Sequence, residues 1–189
     1  MIQHLHTAHT LTATPLGDLL LAATPQGLSG AWFTEGQRGL PDWTSWGAPT
    51  RGHPLLGQAA HELAEYFNGQ RQRFDVPLDL SGGTTFQQRV WRALLDIGAG
   101  DAQSYGQVAA RIGHPAAVRA VGTAVGANPI SVIVPCHRVL GSTGTLAGYG
   151  GGLGRKVALL RCEGWRVDAP AGDAAPPSTL RPQRVAVRR

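Results

Sequence analysis

A β-branched run, Val132-Ile133-Val134, is bounded by Pro129 and Pro135 and ends on Cys136-His137. A run so short and apolar reads as a strand buried on both faces. Pro135 has no N–H to give a ladder, so the strand should stop there and leave Cys136 where the chain turns. A thiol on so rigid a support is a candidate nucleophile, because thiolate attacks carbon where thiol hardly does. The plainer alternative is a packed core cysteine, since free cysteines are among the most buried residues.

The 189 residues suit one large domain or two small ones, with enough chain to bury a core. Two cysteines make no disulfide framework. The longest apolar run near the N-terminus, 19–23, is too short for a signal or membrane helix. A soluble protein of a reducing cytoplasm is expected. The net charge of +5 is uneven: −3 over 1–80, +6 over 81–167 and +2 over 168–189. A basic segment that also carries the cysteine favours a phosphate-bearing partner, with ordinary solubility charge as the alternative. Lys156 is the single lysine among 17 basic residues.

Turn chemistry at Thr14-Pro15-Leu16-Gly17-Asp18 and Thr24-Pro25-Gln26-Gly27 separates short apolar runs that read as strands. His4, His6 and His9 lack recurring ligand spacing and read as solvated. Residues 36–53 read as a Gly-, Pro- and Trp-rich loop. Residues 54–67 carry Leu56, Ala60, Leu63 and Phe67 at helical spacing and end near Asn68-Gly69, a C-cap signal. Residues 74–80 look extended. Residues 1–80 thus form a small α/β unit that supports the rest.

Ser81-Gly82-Gly83 marks a boundary. Thr84 or Thr85 caps a helix bearing Phe86, Val90, Trp91, Leu94 and Leu95 on one stripe. Ser104 and Gln107 match a capping box, and Pro115 suits the first position of the next helix. Helix, short glycine-containing turn, helix is helix-turn-helix spacing. The second helix puts Val118, Val121 and Val125 toward a core. Its other face is small: Ala116, Ala117, Ala120 and Thr123 around one Arg119. Such a face can approach a nucleic-acid backbone closely and insert one side chain in the minor groove. It can equally be an Ala-rich face packed on its own protein. Residues 141–154 are glycine-rich yet match no nucleotide-binding pattern. A last helix from Arg155 ends at Glu163, where a carboxylate opposes the helix dipole. It is either a solvated glutamate or one with a second job. Cys162 reads as a packing residue. Residues 168–189 read as a disordered basic tail.

The motifs together resemble the 6-O-alkylguanine-DNA alkyltransferases, or methylated-DNA–protein-cysteine methyltransferases. They are Thr85-Phe86 with Val90-Trp91, Ser104-Tyr105-Gly106, Arg119-Ala120-Val121-Gly122, Asn128-Pro129, Pro135-Cys136-His137-Arg138-Val139, Gly148-Tyr149 and Glu163-Gly164. The resemblance spans about residues 74–165. It implies an α+β fold, with a ribonuclease H-like N-terminal α/β domain over 1–80 and a helical, winged-helix-like C-terminal domain over 81–167.

It also implies the chemistry. Cys136 takes the alkyl group from 6-O-alkylguanine, or 4-O-alkylthymine, and keeps it as a thioether, so each molecule acts once without a cofactor. His137 activates the thiol and Glu163 orients the histidine. Tyr105 helps rotate the nucleotide and protonates the departing guanine. Asn128 braces the turn behind Cys136. Arg119, with Ala116, Ala117, Ala120 and Thr123 around it, meets double-stranded DNA through the minor groove and fills the gap left by the flipped base. Tyr149, Gly150, Val139 and Pro135 form the base pocket. A monomer is expected, without metal or membrane. Cys162 stands where family members often carry histidine, Val157-Ala158 replaces a more usual Glu-Trp, and Gly98 replaces a common proline. These departures put stability or rate in question, not reaction class. The rival within the fold is a non-enzymatic alkyl-lesion binder, which carries tryptophan where Cys136 stands. A cysteine hydrolase would leave Arg119 unexplained, and a winged-helix regulator would leave the supported thiol unexplained.

Overall fold

The computed structural model describes residues 6–167 and the strand at 182–184. Three antiparallel strands, β1 (Ala8–Thr12), β2 (Leu19–Thr24) and β3 (Gly27–Phe33), form a sheet in sequence order. Both faces of β2 are covered, and its side chains divide with the period of two that a strand imposes. Leu19, Leu21 and Ala23 join the main core with Leu56, Ala59, Leu63 and Tyr66 of α1 (Pro54–Phe67). Leu20 and Ala22 join Trp32 beneath Leu40, Trp43 and Trp46 of the 36–53 loop. The buried stripe of α1 therefore runs through Ala59 and Tyr66, one step round from the expected Ala60 and Phe67.

The histidines near the start are not solvated where they are described. His9 is buried and meets Trp46 edge-on, and His6 packs on the same ring at 4.5 Å while bonding Ser29. The loop tryptophans supply the cover. His4 lies outside the described residues.

Residues 74–80 return along the sheet, where Leu28 N–H donates to the Pro77 carbonyl and Asp79 N–H to that of Leu28. A Cβ on Gly27 would stand 2.7 Å from the Pro77 oxygen, so this approach needs glycine. Then come α2 (Thr85–Leu95), β4 (Gln103–Ser104), α3 (Tyr105–Arg111) and α4 (Val118–Gly126). Capping boxes start α2 at Thr84 with Gln87 and α3 at Ser104 with Gln107. Trp91 crosses to α4 and donates to the Ala124 carbonyl at 2.8 Å.

Two expectations fail around α4. Pro115 does not open the helix, because His114 and Ala117 close a separate turn around it and the helix begins at Val118. Val118 is 40% exposed, while Ala124 takes the expected core place. Leu95 likewise faces solvent at the end of α2.

Residues 132–134 are a turn, not the expected strand. They are fully buried, as a strand would be, but their backbone folds on itself, with Ile133 N–H donating to Ser131 and Val134 N–H to Ile130. The strand-like pairing falls one step earlier. Ile130 bridges Ala31 of β3 in parallel, through Ala31 N–H to Pro129 and Ser131 N–H to Ala31. The sheet of the first half thus carries the turn that leads to Cys136.

A short β5 (Val139–Leu140) runs parallel to β4, and α5 (Leu153–Cys162) follows the glycine-rich loop. Arg155 ties α5 to the first half: it donates to the carbonyls of Leu16 and Glu35 and lies over the Phe33 ring. β6 (Trp165–Val167) pairs antiparallel with β7 (Pro182–Arg184). The expectation of a disordered tail therefore does not hold for 182–184, where ladder pairing orders the backbone; the rest of it lies outside the described residues. No helix among the described residues is long and apolar enough to cross a membrane.

Candidate active site

Asn128 sits just past the end of α4, where the following proline pushes the chain out of helical geometry. Its buried side chain does the work that a strand ladder would have done. Oδ1 accepts from Ile130 N–H at 3.0 Å, and Nδ2 reaches the Val134 carbonyl at 2.8 Å, the Ile130 carbonyl at 3.3 Å and Cys136 Sγ at 3.0 Å. The turn closed this way forces Val132 to φ +71°, the single positive φ on a non-glycine among the described residues. A β-branched residue there costs on the order of 1–3 kcal/mol, which the surrounding bonds must hold.

Cys136 opens a 3₁₀ turn, Cys136–Arg138, and is buried. Burial pushes its thiol up, while the Asn128 hydrogen bond and the charge of Lys156 pull the other way. Lys156 is fully buried, and its Nζ donates to the carbonyls of Val139 at 2.7 Å and Ala147 at 3.0 Å. Burial draws this ammonium down to about 8, with Cys136 opposing the shift. A charge so placed favours the thiolate.

His137 is wholly enclosed, with Nε2 2.8 Å from Glu163 Oε1. Burial lowers the imidazole, though Glu163 works against the shift. Burial alone would raise the Glu163 carboxyl, but His137 and Arg138 outweigh it and hold it down to about 2. Both directions fit one state: anionic Glu163 with Arg138 as its countercharge, and neutral His137 donating its Nε2–H. That tautomer leaves Nδ1 as the basic nitrogen, and Nδ1 is buried without a protein hydrogen bond.

Glu163 is not a solvated glutamate. Its side chain is 2% exposed at the C-terminal cap of α5. Arg138 grips both its oxygens, at 3.0 Å from Nε to Oε2 and 2.8 Å from Nη2 to Oε1, and anchors Nη1 on the Ile97 carbonyl. Tyr66 of α1 adds a hydroxyl donor at 2.8 Å. Cys162, expected to pack, is exposed.

A cleft of about 1280 Å³ opens beside this cluster, lined by Trp32 and Arg38 from the first half and by Tyr105, Arg119, Asn128 and Tyr149 from the second. Gly150 and Thr123 line it too. Tyr105 stands at the start of α3 against Gly122, its hydroxyl raised by burial and then by the nearby Cys136. Ala116, Arg119, Ala120 and Thr123 are exposed, and Ala117 is half-buried. The small face of α4 is therefore open rather than packed on its own protein. Pro135 and Val139 do not line the cleft; they are buried around Cys136, and the Val139 carbonyl already accepts from Lys156.

The structure thus gathers two buried hydrogen-bonded pairs, Asn128–Cys136 and His137–Glu163, joined through the adjacent residues Cys136 and His137, with Tyr105, Tyr149 and Arg119 around an adjoining cleft. Sequence reasoning did not single out Arg138, Lys156 or Tyr66. Arg138 stood inside the Pro-Cys-His-Arg-Val block, and Lys156 was the one lysine of an arginine-rich chain. Both were signals. Tyr66 gave none.

Comparison with known proteins matches two family models that together span most of the chain. Residues 8–80 match the model "6-O-methylguanine DNA methyltransferase, ribonuclease-like domain", and residues 85–165 match "6-O-methylguanine DNA methyltransferase, DNA binding domain". The methylated-DNA–protein-cysteine methyltransferase of Mycobacterium tuberculosis is 49% identical over 156 residues, covering 82% of this chain and 92% of the relative. That of Methanosarcina acetivorans is 41% identical over 156 residues, covering 82% and 97%. The crystal structure of Mycobacterium tuberculosis OGT in complex with DNA superposes with a TM-score of 0.74 at 47% identity, covering 82% of this chain and 92% of that one.

Proposed function

Since the chain belongs to the 6-O-methylguanine DNA methyltransferase family, we propose that Cys136 is the atom-accepting centre of its reaction, served by His137, Glu163, Asn128 and Tyr105. The protein is a methylated-DNA–protein-cysteine methyltransferase that repairs DNA by direct reversal. The observation that carries the residue assignment is the buried set Asn128–Cys136–His137–Glu163 beside the cleft.

In this reading Cys136 loses its proton through an intervening water to His137 Nδ1, while Nε2–H stays on Glu163. A thiol of pKa about 8.5 is only a few per cent thiolate at neutral pH, so such a base is needed. Sulfur then attacks the alkyl carbon. The carbon–oxygen bond breaks, a carbon–sulfur bond forms, and the guanine leaves with its bonding electrons and takes a proton from Tyr105. The proton lost by sulfur balances the one gained by guanine once the relay returns it to the tyrosine. The thioether does not hydrolyse, so each molecule acts once. Asn128 holds Sγ in register, and the Lys156 charge offsets part of the penalty of burying a thiolate.

The lesion carbon lies inside a duplex, and flipping the base out costs a few kcal/mol. The exposed small face of α4 lets the helix approach the minor groove, with Arg119 filling the vacated stack and Tyr149 and Gly150 walling the pocket. Residues 81–167 act and residues 1–80 support them. The partner is double-stranded DNA carrying alkylated bases, met by a monomer in the cytoplasm.

Two outcomes test this. Repair of 6-O-methylguanine duplex should stop at one lesion per protein; continued turnover would contradict the thioether end point. Arg119→Ala should slow repair in duplex by about tenfold to a hundredfold, the flipping cost expressed as a rate. It should leave reaction with free 6-O-alkylguanine base nearly unchanged, and equal slowing on both substrates would remove Arg119 from flipping.

A further inference from the structure

The first half of the chain reaches into the proton relay through one atom. Tyr66 belongs to α1, 97 residues before Glu163, and its hydroxyl donates to Glu163 Oε1 at 2.8 Å. That is the oxygen His137 Nε2 meets at 2.8 Å. Arg138 Nη2 shares it, also at 2.8 Å. Arg138 Nε lies 3.1 Å from it as well, so three side chains share one carboxylate oxygen and divide its charge, and a larger share for one means less for the others.

We propose that Tyr66 is a positioning residue for alkyl transfer, whose hydroxyl on Glu163 Oε1 limits the pull of that oxygen on His137 and so keeps the imidazole a free base. The N-terminal unit is then part of the relay rather than a support for it. This rests on the assignment of His137 as the base for Cys136.

The surroundings leave Tyr66 little other purpose for its hydroxyl. The residue is 4% exposed, and its ring is fixed edge-on to Phe67 at 5.3 Å and tilted on Phe74 at 5.5 Å. Packing alone would be met by phenylalanine. The charged and titratable groups around the relay are few. Glu163 is faced by His137 and Arg138 from the 3₁₀ turn and by Tyr66 from α1, and its charge also reaches the Tyr149 hydroxyl of the glycine-rich loop. His137 is faced by Glu163, Arg138 and, from α5, Lys156. Cys162 adds a weak influence on Tyr66 and sits beside Glu163 in sequence. Arg138 and Lys156 both disfavour imidazolium, and Glu163 is the group favouring it. Removing the Tyr66 hydroxyl returns charge to Oε1 and strengthens that one favourable influence. His137 then becomes more basic and is protonated, and lost as a base, at a higher pH.

The test is single-turnover methyl transfer to Cys136 from 6-O-methylguanine duplex, wild type against Tyr66→Phe, from about pH 5 to about pH 9. Tyr66→Phe should move the acid limb of the rate upward by about half a pH unit to one unit. Superimposed limbs would overturn the proposal. The His137 ring titration, followed by NMR, should shift upward in Tyr66→Phe, yet Tyr66→Phe added to Glu163→Gln should shift it no further. The same shift in both backgrounds would mean a general packing effect and would also overturn it. Should Tyr66→Phe fold poorly, the wild type decides: a slowly exchanging Tyr66 hydroxyl proton in dipolar contact with the His137 ring is expected, and its absence refutes the contact. A wild type that transfers no methyl at any pH removes the relay reading itself, an outcome distinct from wild-type transfer with an unmoved limb.

Discussion

Cys136→Ala abolishes alkyl transfer while the protein still folds and binds lesion-bearing duplex. The loss should reach at least about a thousandfold, down to the background of uncatalysed alkylation, because the other cysteine, Cys162, does not line the cleft. The fold should survive because little of it depends on sulfur. Asn128 Nδ2 loses its contact with Sγ but keeps the carbonyls of Val134 and Ile130, and Oδ1 keeps Ile130 N–H. Deleting one sulfur from a packed site costs about 1 kcal/mol. Binding should survive because the cleft and the exposed face of α4 do not involve Cys136. Transfer assays and gel-shift measurements on the same preparation check both halves, and normal transfer by the variant would refute the nucleophile assignment.

Arg138→Met should be the most destabilising single change at the site. The guanidinium meets both oxygens of Glu163 and the carbonyl of Ile97, and both side chains are almost wholly buried. Breaking a buried pair by removing one partner leaves an uncompensated charge and costs about 3–5 kcal/mol. For a chain of this size that corresponds to roughly 6–20 °C in Tm. The deficit should depend on pH with a definite sign. The Glu163 carboxyl is held down to about 2, below its unfolded value. Its contribution is therefore fully present above the unfolded carboxyl pKa, about 4.3, and is lost as pH falls toward 2. Denaturation of wild type and Arg138→Met should differ most at neutral pH, and the gap should narrow on acidification as Glu163 protonates in both. A gap unchanged between about pH 7 and pH 3 would mean that Arg138 stabilises by packing rather than by pairing with Glu163.

Much of this was legible in the residues. The capping box at Ser104 with Gln107 is a local signal and stands where the sequence puts it, and of the two caps open for α2, Thr84 or Thr85, the structure uses Thr84. Cys136 was legible from its place at the end of an apolar run, while the roles expected of His137, Asn128 and Glu163 came from the family resemblance and not from spacing. The failures have a common physical source, which is that periodicity reports burial and not the backbone that achieves it. Val132-Ile133-Val134 is as buried as any central strand, yet the amides of Ile133 and Val134 donate to Ser131 and Ile130 and the Val134 carbonyl accepts from Cys136 and Asn128, all within the turn and not across a strand ladder. Val118 has the spacing of Val121 and Val125 but falls on the first turn of α4, beyond the edge of the core. Glu163 looked misplaced against the helix dipole because its partners come from a 3₁₀ turn 25 residues earlier and from a helix 97 residues earlier. No local pattern encodes Tyr66, whose partner is set by how α1 lies against the end of α5. Lys156 carried a compositional hint, as the one lysine of the chain, without any indication that it is enclosed against two carbonyls beside the thiol.

If Cys136 keeps the alkyl group, the intact mass of the protein after incubation with duplex DNA containing 6-O-methylguanine, followed by peptide mapping, will reveal it. A gain of one methylene mass is expected, saturating at one per protein and confined to the peptide bearing Cys136. An unchanged mass with lesion binding intact would contradict it and make the protein a recognition module, and a gain on any other peptide would move the chemistry away from Cys136.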